Sequence, residues 1–239
     1  MNEGPPGDRG RSLREALVGA LAVTLAVGAT TWLFPKKYVA TAVGLEFLLA
    51  TWVFVWRRDD DVVRRCGVSF AGLLLREPLD AARIARDTGR ALAWAFGLGA
   101  VFFVPYYFGW RAYWHPHNSF FVMVRPLETL NTVFGQLLLV ALPEEAFYRG
   151  FLQTRLDDAW APRLRVLGAS VGPGLLVASV IFALGHFLTI PSPARLAVFF
   201  PSLVFGWLRT RTRGVGAGLA FHALCNIFSE TLGKGFAVY

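Results

Sequence analysis

Seven long apolar runs are the feature that most constrains how this chain can fold. They are Leu17–Phe34, Tyr38–Trp56, Ala91–Trp110, Leu130–Tyr148, Gly172–Thr189, Leu196–Leu208 and Val215–Leu232. About 20 apolar residues are enough to cross the hydrocarbon layer as a helix. The sequence therefore predicts an all-α, polytopic membrane helix bundle of about seven transmembrane helices, with six or eight left open. The sixth run is short and contains Pro201, which predicts a tilted, broken or only partly spanning helix.

The composition agrees with a chain that is mostly embedded in a bilayer. Of the 239 residues, 55% are hydrophobic and only 17% are charged, whereas soluble domains carry about 25% charged residues. These figures exclude an ordinary soluble enzyme, a coiled coil and a disordered chain. The net charge of +8 would favour nucleic-acid binding in a soluble protein. In a membrane protein it reflects basic cytoplasmic loops, so no nucleic-acid partner is expected.

The positions of the basic residues also predict the orientation. With the N-terminus inside and seven alternating spans, 18 of the 24 Lys and Arg residues fall in inner segments. This distribution predicts a multi-pass protein of the cell inner (plasma) membrane with a cytoplasmic N-terminus. The first run follows Arg9, Arg11 and Arg14 and resembles a signal peptide, but its length favours an uncleaved first span.

The chain divides into four predicted parts. These are a cytoplasmic tail over 1–16, membrane helices with an interfacial helix over 17–126, a membrane core over 127–232 and a C-terminal tail over 233–239. The interfacial amphipathic helix is predicted to begin at Pro78 and to lead into the third span. Tyr106–Arg125, with His115 and His117, is predicted to be an outer loop with aromatic anchors rather than a metal site. Cys66 and Cys225 have no CxxC spacing, so neither a disulfide framework nor a thiolate metal site is indicated.

Charged side chains inside the apolar runs are the first candidates for function, because each costs about 2.5–3.5 kcal/mol at a helix centre. Pro143–Gly150 carries Glu144, Glu145 and Arg149 at the inner end of the fourth run. Residues i and i+4 share a helix face, so Arg149 can pair with Glu145. Glu144 is then left without a local partner, which suits a general acid or base. The alternative is a Glu–Arg clamp that closes the helix end, while the isolated Glu46 is interpreted as a structural or protonated core residue.

Two further runs carry polar side chains that suit catalysis. His186 lies in the fifth run, with Phe182 one turn before it and Gly185 allowing close approach of another helix. In the last run, His222 and Asn226 are four residues apart and offer two donors from one face, which suits an oxyanion or a peptide carbonyl. Each set could instead be structural, as a histidine bonded to a backbone carbonyl or as polar residues that join helices.

Polar groups on three separate apolar runs are best satisfied by meeting in one water-filled cavity. A carboxylate, two imidazoles and an amide can activate water and stabilise a tetrahedral intermediate. The predicted topology places Glu144 and His222 in the inner half of the bilayer, and His186 near the outer end of its span. No Gly-x-Ser-x-Gly, HExxH or phosphate-loop pattern offers another chemistry.

The three motifs in this order resemble the CPBP family of glutamate-dependent intramembrane endopeptidases, which includes the CAAX prenyl endopeptidases. The motifs are Glu144-Glu145-x-x-x-Arg149, Phe182-x-x-x-His186 and His222-x-x-x-Asn226, and the resemblance covers roughly residues 127–232. It implies that Glu144 and His186 hold and deprotonate the attacking water, while His222 and Asn226 polarise the scissile carbonyl. Glu145, Arg149 and Phe182 are then supporting residues. The implied substrate is a protein with a hydrophobic or lipidated C-terminal segment beside the bilayer.

Three alternatives stay open at this point. The resemblance implies no cofactor and no metal, but Glu145, His186 and His222 could instead bind zinc with water as a fourth ligand. Intramembrane Glu and His residues could also form the proton relay of a transporter, although no inverted repeat is visible. A third alternative is a non-catalytic protein that binds peptides or partners.

Overall fold

The computed structural model describes residues 6–122 and 125–238, and it is helical almost throughout. The α-helices are α1 (Pro6–Leu33), α2 (Lys36–Thr51), α3 (Asp60–Arg65), α4 (Ala81–Trp114), α5 (Pro126–Phe134), α6 (Leu142–Glu145), α7 (Thr154–Ala159), α8 (Pro173–Thr189), α9 (Phe199–Thr212) and α10 (Gly216–Gly235). Each of the seven predicted apolar runs coincides with a helical segment, which confirms the predicted all-α bundle.

Within the described part of the chain, three helices are long and apolar enough to cross a membrane. They are Arg9–Leu33, Lys36–Trp56 and Ala81–Trp114, and Pro173–Thr189 is a shorter apolar helix. Large apolar side chains on the outer faces of α1 and α4 are exposed, among them Leu25, Phe96 and Phe108 at 62–65%. Water would not favour such faces, whereas lipid tails would, so the arrangement is that of a membrane protein.

The fourth apolar run belongs to one continuous helix, here called the central helix, which spans α5 to α7. Two π-helical segments, Gly135–Ala141 and Ala146–Gln153, flank α6. This helix extends well past the predicted end at Tyr148 and continues to Ala159. The two glutamates therefore lie near the middle of the central helix rather than at its end.

The third span differs from the prediction at both ends. Its helix begins at Ala81 rather than at Pro78, because the Asp80 side chain caps it by accepting a hydrogen bond of 3.0 Å from the Arg83 backbone N–H. The predicted interfacial segment is continuous with the span, since 34 residues extend about 50 Å. The helix ends at Trp114, so the first half of the predicted outer loop is helical.

The sixth run is short but unbroken. A 3₁₀ segment over Pro193–Val198 leads into α9, and Pro201 lies in the first turn of α9, where its missing N–H leaves no helical bond unmade. The 14 residues of α9 extend only about 21 Å, which agrees with a partial span. The loop before α8, which is predicted to be an inner loop, contains a two-stranded hairpin of β1 (Leu164–Val166) and β2 (Ala169–Val171).

The central helix is packed on several sides, which places α6 inside the bundle. Gly44 of α2 lies so close to it that a Cβ atom would approach the Leu139 carbonyl oxygen to 2.6 Å. Further along the central helix, Phe151 stacks on Phe54 with ring centroids 4.4 Å apart. Helices α8, α9 and α10 cover the remaining faces, so polar side chains on α6 must find their partners within the protein.

Candidate active site

Glu144 lies between two imidazoles that come from different helices. Its Oε2 atom is 3.9 Å from His186 Nε2 on α8 and 3.8 Å from His222 Nε2 on α10. The carboxylate is largely buried, and this oxygen makes no direct hydrogen bond within the described structure. Polar atoms at such separations are spaced for a bridging water or a substrate oxygen. The fold thus brings together three residues that the sequence places up to 78 positions apart.

His186 is oriented by its own helix. Its Nδ1 atom is 3.0 Å from the Phe182 carbonyl oxygen. Because a carbonyl oxygen can only accept, Nδ1 must carry the hydrogen. The Nε2 atom of a neutral ring is then an acceptor, so it and the Glu144 oxygen that it faces can both accept hydrogen bonds from one bridging water. The Phe182 ring packs against the imidazole at 4.4 Å between centroids. A Cβ atom at Gly185 would lie 3.0 Å from the Tyr148 hydroxyl. This glycine therefore allows the central helix to pack closely against α8, as predicted.

His222 is held more tightly than His186. Its Nδ1 atom is 3.0 Å from Glu145 Oε1, and the Phe205 ring stacks on it at 4.6 Å between centroids. Phe182 meets the same ring edge-on at 5.9 Å. These contacts fix the plane of the ring and direct Nε2 towards Glu144.

The second glutamate is paired as the helix-face argument predicted. Glu145 Oε2 is 3.5 Å from Arg149 Nε, and both side chains are fully buried. Arg149 also donates a hydrogen bond of 2.7 Å to the Ser202 hydroxyl of α9 and lies over the Phe182 ring. Glu145 therefore links Arg149 to His222, and the pair holds part of the site together.

Asn226 lies one turn after His222, but its amide already has a partner. Its Nδ2 atom donates a 3.0 Å hydrogen bond to Gln136 Oε1, and Gln136 donates to Glu230 Oε2 at 3.1 Å. Sequence reasoning missed Gln136 and Glu230, although both lie in predicted spans. The cost of polar groups in lipid, which singled out Glu144, could have found them.

These residues line one cavity of about 560 Å³, a size typical of sites for small ligands or short peptides. Its polar groups include Glu144, His186, His222 and Asn226. The opposite wall is formed largely by apolar side chains of α1 and α2, such as Phe47. The cavity thus combines a polar catalytic-type cluster with room for an apolar ligand.

The predicted difference in depth between Glu144 and His186 does not occur. Helix α8 runs antiparallel to the central helix, with Gly174 against Asp157. From that contact, Glu144 is 13 residues away and His186 is 12, so both lie about 18–20 Å along their helices. The prediction ended the fourth span near Tyr148, so it placed Glu144 too close to the inner membrane surface.

Other candidate residues have simpler roles. Glu46 accepts a hydrogen bond from the Thr30 hydroxyl, which agrees with a structural role. Cys66 and Cys225 are free thiols. Among residues 6–122 and 125–238, no group of three or more His, Cys, Asp or Glu side chains is arranged as a metal site.

The fold and cavity define a membrane helix bundle with a buried carboxylate–imidazole site. Residues 126–228 match the family described as type II CAAX prenyl endopeptidase Rce1-like, which confirms the family resemblance over this part of the chain. Searches of curated proteins and of solved structures found no significant match.

Proposed function

We propose that this chain is a membrane-embedded endopeptidase that hydrolyses a peptide bond with water activated by Glu144. The observation that carries the proposal is the position of Glu144 Oε2, less than 4 Å from two Nε2 atoms on separate helices. A general base must lie within direct or water-bridged reach of the proton that it removes. The family match to residues 126–228 supports peptide-bond hydrolysis as the reaction.

In this mechanism, Glu144 and the Nε2 lone pair of His186 hold the water. Glu144 takes a proton as the water oxygen attacks the carbonyl carbon, and it later delivers that proton to the departing amine nitrogen. His222, held by Glu145, would donate from Nε2 to the developing oxyanion in its imidazolium form. Asn226 adds its second amide hydrogen, since only one is used by Gln136.

Glu145, Arg149 and Phe182 act on the substrate only through the two histidines. Glu145 orients His222, Arg149 balances the charge of Glu145, and Phe182 contacts both imidazole rings. These residues belong to the proposed catalytic core over 127–232. They are positioning residues rather than catalytic ones.

The proposed substrate is a membrane-associated protein that is cut near a hydrophobic or lipidated C-terminal segment. The apolar wall of the cavity suits such a segment. The CAAX-type family gives the same expectation, because its description names a prenyl endopeptidase. No cofactor takes part in the proposed reaction.

The first test is Glu144→Gln, which keeps the shape of the side chain but removes its basicity. We expect the rate of C-terminal processing to fall by about 100-fold or more, with no change in folding. The readout is mass spectrometry of membrane-protein C-termini in cells that carry either form. Glu46→Gln is the matched control, because Glu46 is another intramembrane carboxyl group but does not line the cavity. Full processing by the Glu144→Gln form would refute the proposal.

The zinc alternative predicts a different result. A zinc peptidase would hold stoichiometric metal after purification, and chelators would stop its activity reversibly. Elemental analysis of the purified, active protein, together with its activity with and without chelator, distinguishes the zinc mechanism from the glutamate mechanism. Metal-dependent turnover would replace the glutamate mechanism.

A further inference from the structure

Two tryptophans and an arginine meet where α4, α9 and the β-hairpin come together. Trp94 of α4 and Trp207 of α9 pack edge to face, with ring centroids 5.5 Å apart. The Arg211 guanidinium lies over the Trp94 ring at 5.7 Å, within the range of a cation–π contact. Trp207 Nε1 donates a 2.9 Å hydrogen bond to the Val166 carbonyl oxygen of β1. Together these contacts fix the position of Arg211 beside the hairpin.

The hairpin turn closes one side of this cluster and exposes apolar side chains. Gly168 lies against Arg211, because a Cβ atom there would come within 3.1 Å of Arg211 Nε. Leu167 in the same turn and Leu164 at the start of β1 are 81% and 66% exposed. Large apolar side chains exposed together on one hairpin, next to a cation, favour contact with an amphipathic partner.

Arg211 has no anion within the described protein. Its Nε atom is buried without a hydrogen-bond partner, and the guanidinium forms no ion pair with any residue in 6–122 or 125–238. Arg209, two residues earlier, differs because it donates to the Thr154 hydroxyl at 3.1 Å. A partly buried cation without a counter-charge is costly, so the position of Arg211 indicates an anion from outside the chain.

A second cation lies on the same face of α4. Arg90 is exposed one helical turn before Trp94, and residues four apart share a helix face. Arg90 also has no ion-pair partner in the described part of the chain, and the neighbouring Asp87 pairs instead with Arg86 at 3.7 Å. Arg90 and Arg211 therefore present positive charge around one aromatic surface.

The surroundings favour a lipid over a soluble anion. Beyond Trp94, a Cβ atom at Gly97 would meet no neighbour within 4 Å in the described structure, and Val101 is 65% exposed. The aromatic cluster thus continues into an open apolar surface. Trp94 lies near the predicted inner end of the third span, and Arg211 follows the sixth predicted span on its inner side. Tryptophan and basic pockets at that level are typical of sites for anionic headgroups.

We infer that Arg211 and Arg90 bind the phosphate of an anionic phospholipid in the inner leaflet, with its acyl chains along the exposed face of α4. A guanidinium presents two parallel N–H donors that match two phosphate oxygens. Leu167 would contact the same lipid from the hairpin. These residues lie outside the cavity wall that includes Glu144, so the inference goes beyond the proposed peptidase activity and does not depend on it.

The test compares two phospholipids that share acyl chains but differ in charge. The full-length protein in maltoside detergent is titrated with palmitoyl-oleoyl phosphatidylglycerol or phosphatidylcholine, and native mass spectrometry counts the bound lipid. We expect phosphatidylglycerol to bind about tenfold more tightly, because the choline cation opposes both arginines. Arg211→Gln should lower this preference to about twofold. Arg211→Lys should retain part of it, since the charge stays but the paired donors are lost.

Arg58→Gln is the matched control, because Arg58 is an exposed arginine in another predicted inner loop and its loss removes the same charge. It should keep the full preference. If Arg211→Gln does not fold, Arg90→Gln tests the same site and should also weaken the preference.

Equal binding of the two lipids by the wild type would overturn the inference. Equal losses in Arg58→Gln and Arg211→Gln would do the same, because they would show a general effect of charge. Displacement of phosphatidylglycerol by an equimolar amount of glycerol phosphate would assign Arg211 to a soluble anion and would also contradict the inference.

Discussion

Two adjacent glutamates have different surroundings because neighbouring helix positions point about 100° apart. Glu145 faces Arg149 and His222, and its two oxygens are occupied by those residues. Glu144 faces the cavity, where two Nε2 atoms approach one of its oxygens. The same residue type therefore has a structural role at one position and a proposed chemical role at the next.

Loss of the Arg149 guanidinium should reduce stability and activity together. Arg149→Ala would leave the buried Glu145 carboxylate without its cation, a change that typically costs 3–5 kcal/mol. His222 would lose its fixed partner at the same time. Thermal unfolding in detergent and processing assays on the same preparation measure both effects. A variant that is both stable and active would contradict the role given to the Glu145–Arg149 pair.

A second residue-scale prediction concerns pH. Asp157 lies beyond the predicted fourth span, and burial raises its pKa to about 7, against the opposing effects of the Arg209 charge and a hydrogen bond from Gln153. A raised folded pKa favours the protonated form. Its contribution to stability is therefore complete below the unfolded pKa of 3.8 and is lost as the pH rises through about 7.

Asp157→Asn should remove this dependence. We expect the variant to be more stable than the wild type above about pH 8, by several degrees in Tm, and to differ little from it at about pH 4. Melting curves across this range provide the measurement. Parallel curves for the two proteins at every pH would show that the pKa of Asp157 does not differ between the folded and unfolded states.

At the scale of elements, Gly218 allows α10 to lie close both to α9 and to Glu145 of the central helix. A Cβ atom at Gly218 would lie 3.1 Å from Glu145 Oε2 and 3.2 Å from the Phe205 carbonyl oxygen. The second of these is backbone and cannot move aside easily. His222 lies one turn further along α10, so any displacement of the helix reaches the site directly.

Gly218→Ala should therefore cost about 1–3 kcal/mol of unfolding free energy and slow processing. Gly216→Ala is the control on the same helix, because its nearest neighbour would be the Ala91 Cβ at an ordinary 3.8 Å. Denaturation and processing of the two variants are compared side by side. Equal behaviour would mean that helix packing at Gly218 does not position the site.

At the scale of the whole molecule, ion pairs join several helices at the end of the bundle that is predicted to be cytoplasmic. Arg155 pairs with Glu15 of α1 at 3.3 Å and with Asp158 at 3.6 Å, and Arg65 also pairs with Asp158. Arg209 of α9 donates to the Arg65 carbonyl oxygen. Part of the excess of basic residues therefore serves to tie the bundle together on the predicted cytoplasmic side.

The predicted orientation can be tested with two single-cysteine variants. In a chain with Cys66→Ala and Cys225→Ala, we expect a membrane-impermeant maleimide to label His117→Cys in intact cells. Arg163→Cys should react only after the membrane is permeabilised, because the loop that carries it is predicted to be cytoplasmic. Both positions are exposed in the structure. The reverse labelling pattern would place the N-terminus outside.

The amino-acid sequence by itself determined the class of fold and the pairing within the central helix. Apolar runs must be helices in lipid, and a four-residue spacing brings Arg149 to Glu145 by local geometry alone. The family motifs could also be read from the order of residues, and the match to residues 126–228 confirmed the resemblance.

Only the tertiary structure decided the depth of the site and the partners across helices. The length of the central helix, its π-helical segments and the contact of Asp157 with Gly174 set the level of Glu144 relative to His186. The Gln136–Asn226 contact likewise joins residues 90 positions apart. Such contacts depend on how whole helices pack against one another. The spacing of apolar residues along one helix does not determine how far its neighbours are shifted along their axes.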